Sequence, residues 1–175
     1  MQKLLARHIQ LFLKCMYMLL AMGYLAEAHA WKCAYVSSYH KGYAWSDGIE
    51  RGLRDTLDGK CELVQFDMDT KRHRDEPYIK NKAQEIAAEI GRIKPDILIT
   101  SDDNAARYLV VPYFDGGNLP VVFCGINWSV SEYGFPSSNV TGMVEVAPVR
   151  PLLTWAGKLS TEGNRGLYVL SLIHI

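Results

Sequence analysis

Short apolar runs alternate with helical patterns along most of this chain, and that alternation most constrains what it can fold into. Cys33-Ala34-Tyr35-Val36, Ile97-Leu98-Ile99-Thr100 and Val121-Val122-Phe123-Cys124 are apolar throughout rather than at every second position. Strands of that kind are buried on both faces, as in a parallel sheet covered by helices. Cys61 to Met68 carries interleaved Glu62, Gln65 and Asp67 and reads as a strand at a sheet edge, and Val140 to Val144 reads as a fifth strand. Between them, a first helix is expected from Ser46 to Leu57, with Ile49, Leu53 and Leu57 on one face and Asp47/Glu50 resembling a capping box. Ile79, Ala83, Ile86, Ile90 and Ile93 step by four and three through a second helix that Lys94-Pro95 closes, and a third runs from Asn104 to Tyr113 before Gly116-Gly117.

The right-handed crossover rule turns this order into a doubly wound α/β sheet, a Rossmann-like lobe over residues 31–145. Residues 146–170 differ: Pro148 and Pro151 introduce a helix from Leu152 to Leu159, and Gly166 to Leu170 resembles the first strand of a second lobe.

Ahead of the lobe, residues 1–30 read as an export signal. Lys3, Arg7 and Lys14 precede an uncharged stretch from Cys15 to Ala26, and Ala28-His29-Ala30 forms a small-x-small cleavage site. The apolar run is about half the roughly 20 residues that span a membrane; the alternative is an uncleaved anchor, with Leu11 to Leu13 extending the segment. The expected location is therefore periplasmic or otherwise extracytoplasmic. Beyond residue 30 the chain holds 16 basic and 18 acidic side chains, with no basic stripe, which argues against nucleic acid. Cys33, Cys61 and Cys124 make neither a disulfide framework nor a metal pattern. A Cys33–Cys61 bridge is conceivable, but three buried thiols acting as small apolar groups is the preferred reading.

The polar residues gather where the strands end. Ser37 to Trp45 follows the first strand and holds Ser38, Tyr39, His40, Tyr43 and Trp45; Thr100-Ser101-Asp102-Asp103-Asn104 follows the third; Gly125-Ile126-Asn127-Trp128-Ser129 follows the fourth; Glu145 ends the fifth. In an open parallel sheet the carboxyl edge is where ligands bind. Each cluster also has a plainer reading. Asp102 or Asp103 would cap the third helix, Asn127-Trp128 would be a turn with a packing indole, and Tyr43 and Trp45 would staple the first helix. The charged run Lys71 to Glu76 reads as a solvated loop. An enzyme is disfavoured. His40 with Asp102 or Asp103 is the one acid–base pairing on offer, yet there is no GxSxG elbow, GxGxxG turn, Walker sequence or HExxH motif, and no cofactor or metal is implied.

Taken together, SSYHKGYAWSDGIERGL, ITSDDNAARYLVVPYF, LPVVFCGINWS and NVTGMVEVAPVRPLL resemble the periplasmic substrate-binding proteins of ABC transporters. The resemblance covers roughly residues 33–170 and is to the branch with tryptophan- and tyrosine-binding members. It implies two Rossmann-like lobes joined by a hinge, a small-molecule solute held in the cleft, and a monomer that docks on an ABC permease. Some relatives serve a membrane sensor module instead. It further implies that Ser38, Tyr39, Tyr43 and Trp45 form one wall, and that Ser101, Asp102 and Asn104 offer hydrogen bonds and a helix N-terminus suited to a carboxylate. Asn127 and Trp128 would close the site, and Glu145 would mark the crossing to the other lobe. Such receptors have two complete lobes, whereas this sequence accounts for one. Ser171 to Ile175 departs from the pattern and reads as a non-native tail on a truncated fragment.

Overall fold

The computed structural model describes residues 31–159, with Lys14 and Met16 ahead of them. The chain separates into two units, Met1–Ala30 and Trp31–Ile175, and the fold below is that of the second. The expected Gly166–Leu170 strand and the 171–175 tail lie outside the described residues, as does nearly all of the expected export signal.

Five strands form one sheet: β1 (Trp31–Ser37), β2 (Cys61–Asp67), β3 (Ile97–Ser101), β4 (Val121–Asn127) and β5 (Val140–Glu145). All pairings are parallel and the order is β2-β1-β3-β4-β5. Helices α1 (Ala44–Leu57) and α2 (Glu76–Ile93) cross between the first three strands. They cover opposite faces. Ile49, Leu53 and Leu57 of α1 pack on Cys33, Tyr35 and Ile99. Ile79, Ala83, Ile86 and Ile90 of α2 join Ala34, Val36, Leu98 and Val121 in the larger core. Alternate residues of β1 and β3 thus go to different cores, which is why these strands are apolar at every position. The chain is an α/β protein with a Rossmann-like, doubly wound parallel sheet.

Helix α2 keeps its expected stripe and its close at Lys94, and its start falls within the charged run expected as loop. The Asp75 carboxylate accepts from Tyr78 N at 2.9 Å, Pro77 sits in the first turn, and Lys94 closes the helix in the left-handed region at φ 47°. Helix α1 departs from expectation. It begins at Ala44, two residues early, with Tyr43 as an N-cap that makes no side-chain cap bond. Asp47 reaches back to Gly42 N at 2.9 Å, and Glu50 pairs with Arg54, so there is no capping box. Trp45 consequently belongs to the first helical turn.

The third helix is composite: α3 (Asp102–Ala105), a π-helical turn over Ala106–Val110, and α4 (Val111–Tyr113). Pro112 explains the irregularity. It has no N–H to give to Tyr108, and its ring crowds that carbonyl, so the backbone widens by one residue. Helix α5 (Val149–Leu159) starts three residues before the expected Leu152.

The cysteine expectation is corrected. Cys33 and Cys61 form a disulfide, with Cα atoms 5.9 Å apart. Parallel register sets Cys61 opposite Trp31, two residues from Cys33, so the bridge runs diagonally between β1 and β2. Among the described residues only Cys124 remains a free thiol, and burial pushes its pKa up to about 11.

Candidate functional site at the switch point

From β1 the chain crosses to β2 on one side, and from β3 it continues to β4 on the other. That reversal lies between the carboxyl ends of β1 and β3, the place where open α/β sheets form a crevice that holds ligands. Ser37 stands opposite Ser101 across it.

Several hydroxyls expected to face a ligand instead build the crevice. Ser38 Oγ donates to Ser101 O at 2.6 Å and accepts from Ala105 N at 2.8 Å. It fastens β1 to β3 and caps the first turn of α3 from another loop. Ser101 Oγ meets the Tyr35 hydroxyl at 3.0 Å, and Ser37 Oγ donates to Ser46 Oγ at 3.1 Å. Asn104 gives its amide to Thr70 Oγ1 at 2.8 Å, and Thr70 Oγ1 in turn donates to Ser38 O. Neither Asp102 nor Asp103 caps α3. The N-cap is Ser101, without a side-chain bond.

The two aspartates have separate tasks. Asp103 accepts from Asn127 Nδ2 at 2.9 Å and from the Tyr133 hydroxyl at 2.8 Å, so it ties the β4 loop to α3. Asn127 is thereby committed to the protein. Asp102 is different. It is 4% exposed, sits at φ 70°, and accepts from Trp45 Nε1 at 3.0 Å through Oδ1. Its other oxygen, Oδ2, is buried without a hydrogen bond of good geometry, with the Tyr39 and Ser101 hydroxyls close enough to act on the carboxyl. Burial pushes its pKa up to about 7, the Ser101 and Trp45 donors oppose that, and Asp103 and Glu145 add to it. The β4 bulge makes room for this carboxyl. Gly125 lies at φ 71°, and a Cβ there would meet Asp102 Oδ1 at 3.2 Å.

Aromatic rings surround the crevice. Tyr39 and Tyr43 meet edge to face with centroids 5.3 Å apart. Lys71 Nζ lies 4.5 Å from the Tyr39 centroid and 5.5 Å from that of Tyr43. Burial and the neighbouring Asp102 carboxyl raise the Tyr39 pKa, so its hydroxyl stays protonated. Trp45 and Trp128 leave 42% and 45% of their surface in solvent. Trp128 is held at φ 63°, where a bulky side chain is rare, and its N–H extends the β5 ladder to Glu145 O at 2.9 Å. Beyond Asp103 a hollow of about 570 Å³ is lined by Asn104, Arg107, Trp128, Glu132 and Tyr133.

Of the ten residues expected in the site, Tyr39, Tyr43, Trp45, Asp102, Trp128 and Glu145 border this edge without being consumed by it. Ser38, Ser101, Asn104 and Asn127 are its fastenings. Two further residues differ from expectation. Lys71 is no member of a solvated charge run but the cation over the tyrosine pair. His40 meets Asp69 at 3.4 Å instead of Asp102 or Asp103. Lys71 is separated from Tyr39 by a helix and a strand, so only the pairing of β1 with β2 reveals the contact. Among the described residues no three His, Cys, Asp or Glu side chains gather to hold a metal ion, and no helix is long and apolar enough to cross a membrane.

No known family, curated protein or solved structure matches this chain.

Proposed function

We propose that this chain binds a small organic solute at the β1/β3 switch point, as the lobe of an exported receptor serving an ABC permease or a membrane sensor module. The observation that carries the reading is the pairing of exposed aromatic surface with an unsatisfied buried acceptor. Trp45 presents an indole to solvent while its N–H is anchored on Asp102, whose second oxygen has no partner. Packing alone gives no reason to bury a carboxylate oxygen unpaired, at a cost of about 1–3 kcal/mol. Bound solute removes that cost. The resemblance in sequence supports the same reading, and so does the position of the site at the sheet's carboxyl edge.

Solute binding without chemistry is the corresponding behaviour. A panel of flat organic solutes is to be tested by thermal unfolding, where a saturating ligand at about 100 times its Kd adds about 2.7 kcal/mol to stability. A shift with no product formed is the expected result. Turnover that disappears in His40→Ala or Asp102→Asn would establish an enzyme instead.

A further inference from the structure

Resting on the solute-binding reading, we propose that the switch-point site selects organic cations: a protonated amine or amidinium of the solute donates to Asp102 Oδ2 while its flat apolar body lies against Trp45. Three independent observations converge on the sign of the charge.

The first is the orphan oxygen. Neighbouring carboxylates are engaged, Asp103 by Asn127 and Tyr133 and Asp69 by Arg72. Asp102 alone among these keeps a buried oxygen without a donor, so the group it awaits is an N–H or O–H. An ionised donor makes the stronger bond to a carboxylate.

The second is the absence of a cradle for an anion. The first turn of α3 already carries Asp102 and Asp103, and Ala105 N is taken by Ser38 Oγ. Glu145 adds a further negative charge beside Asp102. Against these carboxyls the nearby cation is Lys71, whose charge is directed onto two tyrosine rings.

The third is Lys71 itself. Its ammonium over Tyr39 and Tyr43 demonstrates that these ring faces accept a cation. Partial burial lowers its pKa, opposed by Asp102, so the ammonium is partly dehydrated where it meets the rings.

The test is calorimetric titration of the full chain at pH 8 with matched probes: tryptamine, tryptophol and indole-3-propionate, and the phenyl series phenethylamine, 2-phenylethanol and hydrocinnamate. The amine of each set is expected to bind at least about ten-fold tighter than its alcohol or acid, equivalent to about 1.4 kcal/mol. In Asp102→Asn that preference is expected to vanish while alcohol binding persists. Asn tolerates a positive φ, so the variant keeps the backbone. Lowering the pH from 8 to 5.5 supplies a second test on the unaltered chain. The groups facing Asp102 are Tyr39, Lys71, Asp103, Cys124 and Glu145. Protonating Asp102 is expected to weaken the amine at least about ten-fold and leave the alcohol unchanged. An alcohol or acid that binds as well as its amine, or an amine preference that survives in Asp102→Asn or at pH 5.5, overturns the cation proposal and leaves the receptor reading standing. If no probe of any charge binds, both fall.

Discussion

A buried carboxyl at positive φ with one oxygen unpaired holds energy that the fold must supply, and Asp102 concentrates all three conditions in one residue. In the folded chain its pKa is about 7, against 3.8 for an ordinary aspartate, so the folded state keeps a proton that the unfolded chain releases. Stability is therefore unaffected by Asp102 below about pH 4, falls as pH rises towards 7, and stays reduced above it. A carboxyl moved from 3.8 to about 7 sets a ceiling of about 4 kcal/mol on that loss. Asp102→Asn removes the ionisation and keeps an oxygen for Trp45. We expect the variant to be about 2–4 kcal/mol more stable than the parent at pH 8 and equal to it near pH 4, measured by urea unfolding at both values. A constant difference across that range would show that Asp102 does not titrate between them. Gaining stability while losing amine binding would be the signature of a residue retained for recognition.

At the level of elements, Ser38 performs the capping that the sequence suggested for the aspartates. Its hydroxyl joins Ser101 O and Ala105 N, so Ser38→Ala leaves a helix N–H short of a partner and Ser101 O with only the backbone N–H of residue 38. The expected loss is about 2–3 kcal/mol by urea denaturation, larger than an exposed cap would give. Gly142 makes a second test. A Cβ at that position would lie 2.1 Å from Phe123 O, so Gly142→Ala should part β5 from β4 and accelerate amide exchange along β5, leaving β1–β3 protected. These contacts also mark how far the sequence could be read. Strands β1 and β3 were legible because burial on both faces leaves an unbroken apolar run, and β4 was legible from its apolar residues although Val122 is exposed. Helix α2 was legible because one buried stripe and the Lys94-Pro95 stop agree, whereas its start at Asp75 and Glu76 reads as solvated loop. The start of α1 was not, since Tyr43 carries no cap bond and Asp47 reaches backwards to Gly42. The gathering of polar residues at one edge of the sheet was visible in the sequence. Which of them face outward was not, because Ser38, Ser101 and Asn104 spend their polar groups on Ala105, Tyr35 and Thr70, partners fixed by strand order. The Cys33–Cys61 pair needed the diagonal register of β1 and β2 in the same way.

For the molecule as a whole, the disulfide and the apolar surface pull in opposite directions. The bridge joins residues 28 apart in sequence and fixes the edge strand β2 to β1. Closing a loop of that length constrains the unfolded chain by about 3–4 kcal/mol, so Cys33→Ala/Cys61→Ala should unfold at correspondingly lower urea, and reductant should do the same to the parent. At the opposite sheet edge β5 exposes Met143 and Val144, and the chain that follows it exposes Val146, Leu152, Trp155 and Leu159. Helix α5 has no buried residue, although its apolar side chains recur at helical spacing. Isolated exposed apolar residues need no explanation, whereas Leu152, Trp155 and Leu159 recur at helical spacing and present an apolar stripe to solvent. Such a surface attracts apolar dyes and promotes association, because covering each large side chain yields about 1.5–3 kcal/mol. The folded chain should therefore bind an anilinonaphthalene dye and sediment faster as concentration rises. Leu152→Lys/Leu159→Lys should cut dye binding by more than half and abolish the concentration dependence. Neither residue belongs to either core, so the stability measured by urea unfolding should change by no more than about 0.5 kcal/mol. If that variant instead unfolds much more easily, the α5 face is already covered within the folded chain, and the dye must be reporting on another surface.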